Sequence, residues 1–158
     1  MPKYRVRMRY PDGKARNAEA LAVDPAGTVY ILTKTRPSEI YRLKKEQWMN
    51  PKGKSETLEF VTSVDFHKLE RDATKRGALP TAMDISPDGT RLLVLTYQSV
   101  FEARLDFSKP LKFQRIDVVA LEQQEAIAYT PDGNAFIFST EKKFGINPVI
   151  MKSECRPK

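Results

Sequence analysis

One phrase occurs three times along this chain: a short apolar strand, a turn that contains proline and glycine, and a second strand. The copies span residues 19–33, 82–96 and 125–139. The proline presets φ for the turn, and the glycine two positions later supplies the positive φ that the returning strand requires. Each copy is therefore predicted to be a tight β-hairpin, and a hairpin repeated at this scale is typical of a repeat architecture.

Two further strand patterns follow the first and second hairpins, so the repeating unit has four strands. The three units cover about residues 18–64, 80–119 and 124–152. A four-stranded unit of about 40–50 residues fits a blade of a β-propeller better than any helical repeat. We therefore predict an all-β fold, a β-propeller with three blades of four strands, as one domain over residues 1–158. The third unit shows only three strand patterns before the sequence ends.

A basic strand precedes the first unit. Residues 3–10 alternate Lys or Arg with apolar residues, which is the pattern of a half-buried strand with one charged face. Three blades alone would leave two large apolar faces in water. We therefore expect two chains to form a six-bladed ring as a homodimer, in which residues 1–10 of one chain complete the last blade of the other by strand exchange. The alternative is that the chain is a fragment of a longer propeller.

Composition and charge argue against several classes of function. The chain has 27 Lys and Arg against 20 Asp and Glu, but these residues are interleaved, so no concentrated basic face for specific nucleic-acid binding is predicted. No run approaches the roughly 20 apolar residues of a membrane span, and the N-terminus lacks the apolar stretch of a secretory signal. We expect no membrane partner, and a protein that is cytoplasmic as given or secreted with its signal peptide absent from this sequence.

The repeated hairpins also predict a candidate site. In a propeller, the first strand of each blade starts at the same face of the ring to which the second strand returns. Acidic and basic groups gathered at that channel mouth could bind a cation, a phosphate or a small polar molecule. The alternative is a ring of ion pairs that closes the channel. Three of these residues start the inner strands and three follow the second strands: Glu19, Thr81 and Glu125, then Lys34, Tyr97 and Glu141.

Asp84 is the seventh candidate. It stands in an inner strand at a position that the sister strands fill with Ala22 and Ala128. A buried carboxylate needs a partner. Either Asp84 pairs with an Arg or Lys of a neighbouring blade, which we favour, or it belongs to the channel site.

Few residues point to catalysis or to a metal. No Ser stands in a nucleophile-elbow setting, His67 is the only histidine, and no cluster has the spacing of a transition-metal site. The single Cys155 has no companion for a disulfide. No metal or other cofactor is therefore expected, although Glu19 and Glu125 could act as acid and base or hold Ca²⁺ through carboxylate oxygens.

Several phrases carry a resemblance to a known family. They are residues 10–13 (Tyr-Pro-Asp-Gly), residues 81–89 around the second turn, and residues 124–129 at the start of the third hairpin. The chain resembles the C-terminal half of a bacterial family of six-bladed β-propellers, hypothetical secreted proteins grouped loosely with esterase-like phytase and lactonase propellers. The resemblance implies the fold and brings no established activity.

Two functions remain open at this point. The first is a non-enzymatic propeller scaffold that binds a small ligand or a partner at the channel face, and we favour it because the motifs explain folding without leaving a catalytic set over. The second is a Ca²⁺-dependent hydrolase of the lactonase or phytase-like type that uses channel-mouth carboxylates.

Overall fold

The structure is a computed structural model that describes residues 5–70, 74, 76–119, 121, 123–141, 145 and 147–155. Within those residues the chain forms strands and two short helices. The elements in chain order are β1 (Met8–Arg9), β2 (Ala18–Val23), β3 (Val29–Thr33), β4 (Ser38–Leu43), α1 (Lys45–Met49), β5 (Glu56–Thr57), β6 (Glu59–Val64), α2 (Phe66–Leu69), β7 (Pro80–Ile85), β8 (Arg91–Thr96), β9 (Val100–Arg104), β10 (Gln114–Ile116), β11 (Gln124–Tyr129), β12 (Ala135–Thr140) and β13 (Ile150–Glu154).

Three antiparallel sheets repeat one plan. Blade 1 has the strand order β2-β3-β4-β6, blade 2 has β7-β8-β9-β10, and blade 3 has β11-β12-β13. The innermost strands β2, β7 and β11 lie side by side, so each blade stacks on the next. The predicted all-β propeller fold is confirmed. A separate pair, β1 with β5, is parallel.

The hairpin turns that the sequence predicts also connect the blades. Gly89 has φ +71°, and a Cβ at this position would lie 3.2 Å from Cδ of Pro25 in the turn of blade 1. Gly133 has φ +69°, and its Cβ would lie 3.5 Å from Cδ of Pro87. Both positions need glycine for their positive φ, and at Gly89 the close approach of Pro25 is a second reason. Each turn lies against the proline of the preceding one.

The core lies between the blades. We call the face of a blade that points to the preceding blade its upstream face, and the opposite one its downstream face. Between blades 1 and 2, the downstream face of the first packs on the upstream face of the second. The core between these two faces includes the side chains of Tyr30, Leu32, Ile40, Met83, Leu92, Val94 and Phe101. Between blades 2 and 3 the same arrangement contains Leu93, Leu95, Val100, Ile127, Tyr129, Phe136 and Phe138.

The outer half of the upstream face of blade 1 is covered by the chain itself. Ile31, Tyr41 and Leu43 of this face are buried under Leu58 and the partly buried Val6, Tyr10 and Trp48. Trp48 on α1 donates a hydrogen bond from Nε1 to the carbonyl of Gly27, at 2.8 Å. Residues 5–10 and 44–58 therefore act as a partial cover over the first blade.

The outer strands differ from their predicted bounds. The structure gives residues 111–119 a strand only at Gln114–Ile116, because Leu111 and Phe113 turn toward the core between blades 1 and 2, where Phe113 contacts Phe66 with ring centroids 5.2 Å apart. Of the predicted strand 3–10, residues 3 and 4 lie outside the described residues, and Met8–Arg9 pairs with Glu56–Thr57 of its own chain. The described helices are too short to cross a bilayer.

Candidate functional site at the channel mouth

The structure brings the strand ends of the three inner hairpins to one side. Thr81 lies on β7, Glu19 on β2 and Glu125 on β11, each next to the first residue of its strand. Lys34, Tyr97 and Glu141 directly follow the last residues of β3, β8 and β12, and antiparallel pairing returns these ends to the start of the inner strands. We call these six residues the channel mouth.

Lys34 connects blades 1 and 2. Its ammonium group donates one hydrogen bond to Oε2 of Glu19 and another to the phenol oxygen of Tyr97, at 2.5 Å. The ammonium nitrogen also lies 4.4 Å from the centroid of the Tyr97 ring. Burial opposes the charge of Lys34, but the hydrogen bonds to Glu19 and Tyr97 outweigh burial, so the pKa of Lys34 is raised above its ordinary value.

A protonated Lys34 limits the chemistry of this cluster. A raised pKa leaves no free electron pair on the amine at neutral pH, so Lys34 serves as a donor and as a fixed positive charge rather than as a base or nucleophile. An ammonium group has three N–H donors, and the two contacts use two of them. For Glu19 and Lys34 the structure therefore shows the ion pair that the sequence left as an alternative.

Two of the remaining mouth residues, Glu141 and Thr81, contact residues of their own blades. Glu141 accepts a hydrogen bond from Nε2 of Gln123 at 3.0 Å, and its backbone N–H donates to the carbonyl of Gln123. Thr81 is buried, and its hydroxyl lies 3.5 Å from the carbonyl of Leu95. Glu125 is half-buried and has a partner of its own. Lys34 thus links blades 1 and 2 in one cluster, whereas the contacts of Thr81 and Glu141 stay within their own blades.

Asp84 lies three residues after Thr81 on β7. Its hydrogen-bond partner is not the Arg or Lys of a neighbouring blade that the sequence analysis favoured. Its Oδ2 accepts a hydrogen bond from the backbone N–H of Tyr129 at 2.7 Å. Among the described residues no Arg or Lys forms a salt bridge with Asp84. The contact does join neighbouring blades, but through a main-chain group, because the inner edge of β11 has no further strand to take that N–H.

Gln124 is a mouth residue that sequence reasoning missed. It precedes Glu125 on β11 and is fully buried, with its Nε2 donating to the carbonyl of Thr96 at 3.2 Å. Its Oε1 is buried without a hydrogen-bond donor among the described residues. The signal was present in the sequence, since the sister hairpins have Ala18 and Pro80 at the same position. A lone buried acceptor is costly and is stabilised by a donor that reaches it.

A second polar network outside the prediction lies beside blade 2. The hydroxyl of Ser99 donates to Oε2 of Glu70 and accepts from Nε of Arg115 at 3.1 Å, and Arg115 lies 3.4 Å from Oε1 of Glu70. The carboxylate that Ser99 contacts is already paired with Arg115, so these contacts do not give Ser99 a free general base. The network fastens the connection after α2 to blade 2.

A polar cavity lies at the opposite end of the blades. This open groove of about 850 Å³ runs between blades 2 and 3 near the hairpin turns, where Asp88 and Asp132 line it. Sequence reasoning did not predict it, because turn chemistry explained both aspartates. Asp88 accepts from Ser86 and Thr90 within its own turn, and Asp132 is held in the same way. The groove is polar and its lining is largely paired within the chain.

No metal centre is evident in the part of the chain that the structure describes. There, no three or more His, Cys, Asp or Glu residues lie close enough together to hold an ion. His67 lies near Asp65, with Nδ1 3.7 Å from Oδ1.

The chain matches no known family model and no curated protein, but solved structures resemble it. A chain of a nidogen/laminin complex matches 89% of this chain with a TM-score of 0.59 and 15% identity. Hydrazine synthase from Kuenenia stuttgartiensis matches 87% with a TM-score of 0.57 and 15% identity. A candidate 6-phosphogluconolactonase from Bacteroides uniformis matches 98% with a TM-score of 0.57 and 17% identity.

These likenesses concern the fold alone and agree with the β-propeller architecture. The chain spans 45%, 34% and 43% of the length of the three matched chains, in the same order. It is therefore similar to less than half of each solved chain.

Proposed function

We propose that this protein is a non-enzymatic β-propeller module that binds a small polar ligand at the channel mouth. The observation that carries the proposal is the Oε1 of Gln124 next to the mouth, which is buried and has no hydrogen-bond partner among the described residues. An acceptor in this position is stabilised by a ligand that brings a hydrogen-bond donor, such as a hydroxyl or an ammonium group.

The neighbouring groups favour the same class of ligand. Tyr97 accepts from Lys34 and keeps its own O–H for donation, and Lys34 has a third N–H. Glu19 retains a second carboxylate oxygen. The mouth therefore combines donors and acceptors at fixed positions, and a polyol or amino alcohol is the ligand that could use both kinds.

The test is a titration of the ¹⁵N-labelled protein with three small probes, followed by NMR. Glycerol and ethanolamine carry donors, whereas acetate only accepts hydrogen bonds. We expect the side-chain amide signals of Gln124 and the backbone signals of Thr81 and Tyr97 to shift with the first two probes. Equal responses to all three probes, or none at these residues, would contradict the proposal.

A pair of variants gives the titration its control. Gln124→Leu removes the buried acceptor and should abolish the donor-dependent shifts of Tyr97. Gln114→Leu changes the same side chain on β10, which lines the groove near the hairpin turns, and should leave those shifts intact. Should both variants respond like the wild type, the acceptor would not be part of a binding site.

Calcium decides between this proposal and the hydrolase hypothesis. A ligand at 100 times its dissociation constant stabilises a protein by about 2.7 kcal/mol, which a thermal melt detects readily. We expect the melting temperature to be the same in millimolar Ca²⁺ and in EDTA. A clear rise with Ca²⁺ would favour the hydrolase that uses channel-mouth carboxylates.

A further inference from the structure

The two end faces of the described chain are exposed where their internal equivalents are buried. Leu21 occupies the position of Met83 and Ile127 in the inner strand, yet Leu21 is 57% exposed whereas the other two are 3% and 8% exposed. On the downstream face of blade 3, Ile150 is 76% exposed whereas its equivalents Ile40 and Val100 are fully buried. Both faces thus carry apolar side chains of the kind that other blades cover.

The internal blade contacts show what covers such a face. Twice in this chain a downstream face packs on an upstream face, once between blades 1 and 2 and once between blades 2 and 3. The free upstream face of blade 1 is therefore complementary in kind to the free downstream face of blade 3. Within the described arc of blades these two faces do not meet, so each can take a blade from outside the arc, and a second copy of the chain presents both kinds of face.

Residues 5–10 lie where an outer strand of a preceding blade would lie. The outer part of each internal upstream face is covered by the preceding blade, with Val61 and Val64 of β6 against blade 2, and Ile116 and Val118 at and after β10 against blade 3. Val6 and Tyr10 cover blade 1 in the same manner. Blade 3 is the sheet with three described strands, which leaves the outer edge of β13 for such a strand.

The pairing of β1 with β5 leaves the other edge of β1 open. The carbonyls of Arg7 and Arg9 accept from the N–H groups of Glu56 and Leu58, at 2.8 and 2.9 Å. Backbone groups of successive strand residues point to opposite edges, so those of Met8 point away from β5. The contact within the chain is therefore compatible with a second strand on the other side.

Charge at the channel mouth fits the same arrangement. Lys34 of blade 1 contacts Tyr97, the equivalent residue of blade 2. Glu141 is the equivalent residue of blade 3. If the next blade is blade 1 of another copy, Glu141 faces Lys34 of the partner subunit. Opposite charges would then meet at both junctions of the ring.

We propose that a second copy of this chain packs the downstream face of its blade 3 on the upstream face of blade 1, twice about a two-fold axis, to close a six-bladed ring. The β1 strand of each chain then lies beside β13 of the other and completes its outer edge. The channel mouth would contain residues of both chains. Gln124 lies between blades 2 and 3 of one chain, so loss of the dimer and loss of the response at Gln124 are separate outcomes.

The first test is the mass in solution by light scattering coupled to gel filtration. We expect twice 18.1 kDa for the wild type. Leu21→Lys and Ile150→Lys place a charge on opposite sides of the same contact and should each reduce the mass to 18.1 kDa. Val119→Lys changes a side chain that is 62% exposed and belongs to neither end face, and it should leave the dimer intact. Circular dichroism confirms that each variant is folded.

Complementation between two charge variants is the second test. Glu141→Lys and Lys34→Glu should each weaken the dimer by up to about 25-fold, because exposed ion pairs contribute up to about fivefold each and the ring contains two. An equimolar mixture restores opposite charges at both junctions, so it should recover a wild-type dissociation constant. A folded 18.1 kDa wild type, aggregates, or a dimer unaffected by Leu21→Lys and Ile150→Lys would overturn the proposal.

Discussion

Asp84 is the residue whose environment the structure defines most sharply. Its carboxylate accepts the backbone N–H of Tyr129 in the next blade, so Asp84→Ala leaves that half-buried donor unpaired. We expect the free energy of unfolding to fall by about 1.5–3 kcal/mol, the range for a hydrogen bond to a charged group, rather than the larger cost of a broken buried ion pair. Asp84→Asn keeps an acceptor and should lose less. Urea denaturation measures both, and a loss below about 0.5 kcal/mol for Ala would contradict this contact.

Asp88 gives a pH-dependent prediction. Hydrogen bonds from the Ser86 hydroxyl and from Thr90 lower the pKa of Asp88 from 3.8 to about 2. Because the folded-state pKa lies below the ordinary value, the stabilisation is present above pH 4 and is lost as the pH falls through about 2. The side chain is exposed, so the effect is small. The stability difference between wild type and Asp88→Asn should shrink on acidification from pH 5 to pH 2, and a constant difference would contradict it.

At the residue scale, the sequence predicts those features that depend only on neighbouring residues of the chain. Turn residues such as Gly89 and Asp88 follow from backbone conformation and Asx hydrogen bonding, which depend on neighbours in sequence. The hydrogen-bond partner of Asp84 and that of Gln124 each belong to a neighbouring blade, 45 and 28 residues away along the chain. Sequence patterns indicate that a polar residue occupies an apolar position, but not which group faces it.

At the scale of the elements, Arg91 joins blades 2 and 3. Its guanidinium donates to the carbonyl of Gly133 at 2.6 Å and to Glu102 at 3.3 Å, and lies 4.9 Å from the centroid of the Tyr129 ring. Tyr129 donates its O–H to the same Glu102 carboxylate at 2.8 Å, and burial, followed by this hydrogen bond, raises the pKa of Tyr129. These contacts form one network across the blade interface.

Arg91→Met should therefore lower the free energy of unfolding by about 1–3 kcal/mol, because Gly133 and Glu102 lose a donor in a half-buried site. Arg42→Met is the matched control, since Arg42 pairs with Glu59 inside blade 1 at a more exposed position. That pair should contribute at most about 1 kcal/mol. Equal losses for the two variants in urea denaturation would show that the inter-blade network adds nothing.

The elements themselves were predictable to different degrees. The inner hairpins follow from apolar strands around a Pro-Gly turn, and β2, β3, β7, β8, β11 and β12 lie where the pattern predicts them. Outer strands are less regular, because their side chains also cover the neighbouring blade. Phe113 lies outside the paired part of its strand and packs in the core between blades 1 and 2. Trp48 anchors α1 to the turn of the first hairpin.

At the scale of the whole molecule, the proposed ring consists of two three-blade arcs, one from each of two copies of the chain. Equivalent positions support this claim, since Leu21 and Ile150 are exposed on the two end faces of the described arc, whereas their equivalents between blades are buried.

Small-angle X-ray scattering of the wild-type protein over a dilution series tests ring closure most directly. A compact particle made of two chains of 158 residues has a radius of gyration of about 20 Å, whereas one compact chain has about 15 Å. We predict about 20 Å at micromolar concentration, with a distance distribution that ends sharply, as expected for a closed disc. A value of about 15 Å that does not change with concentration, or an extended two-chain particle well above 20 Å, would contradict the account.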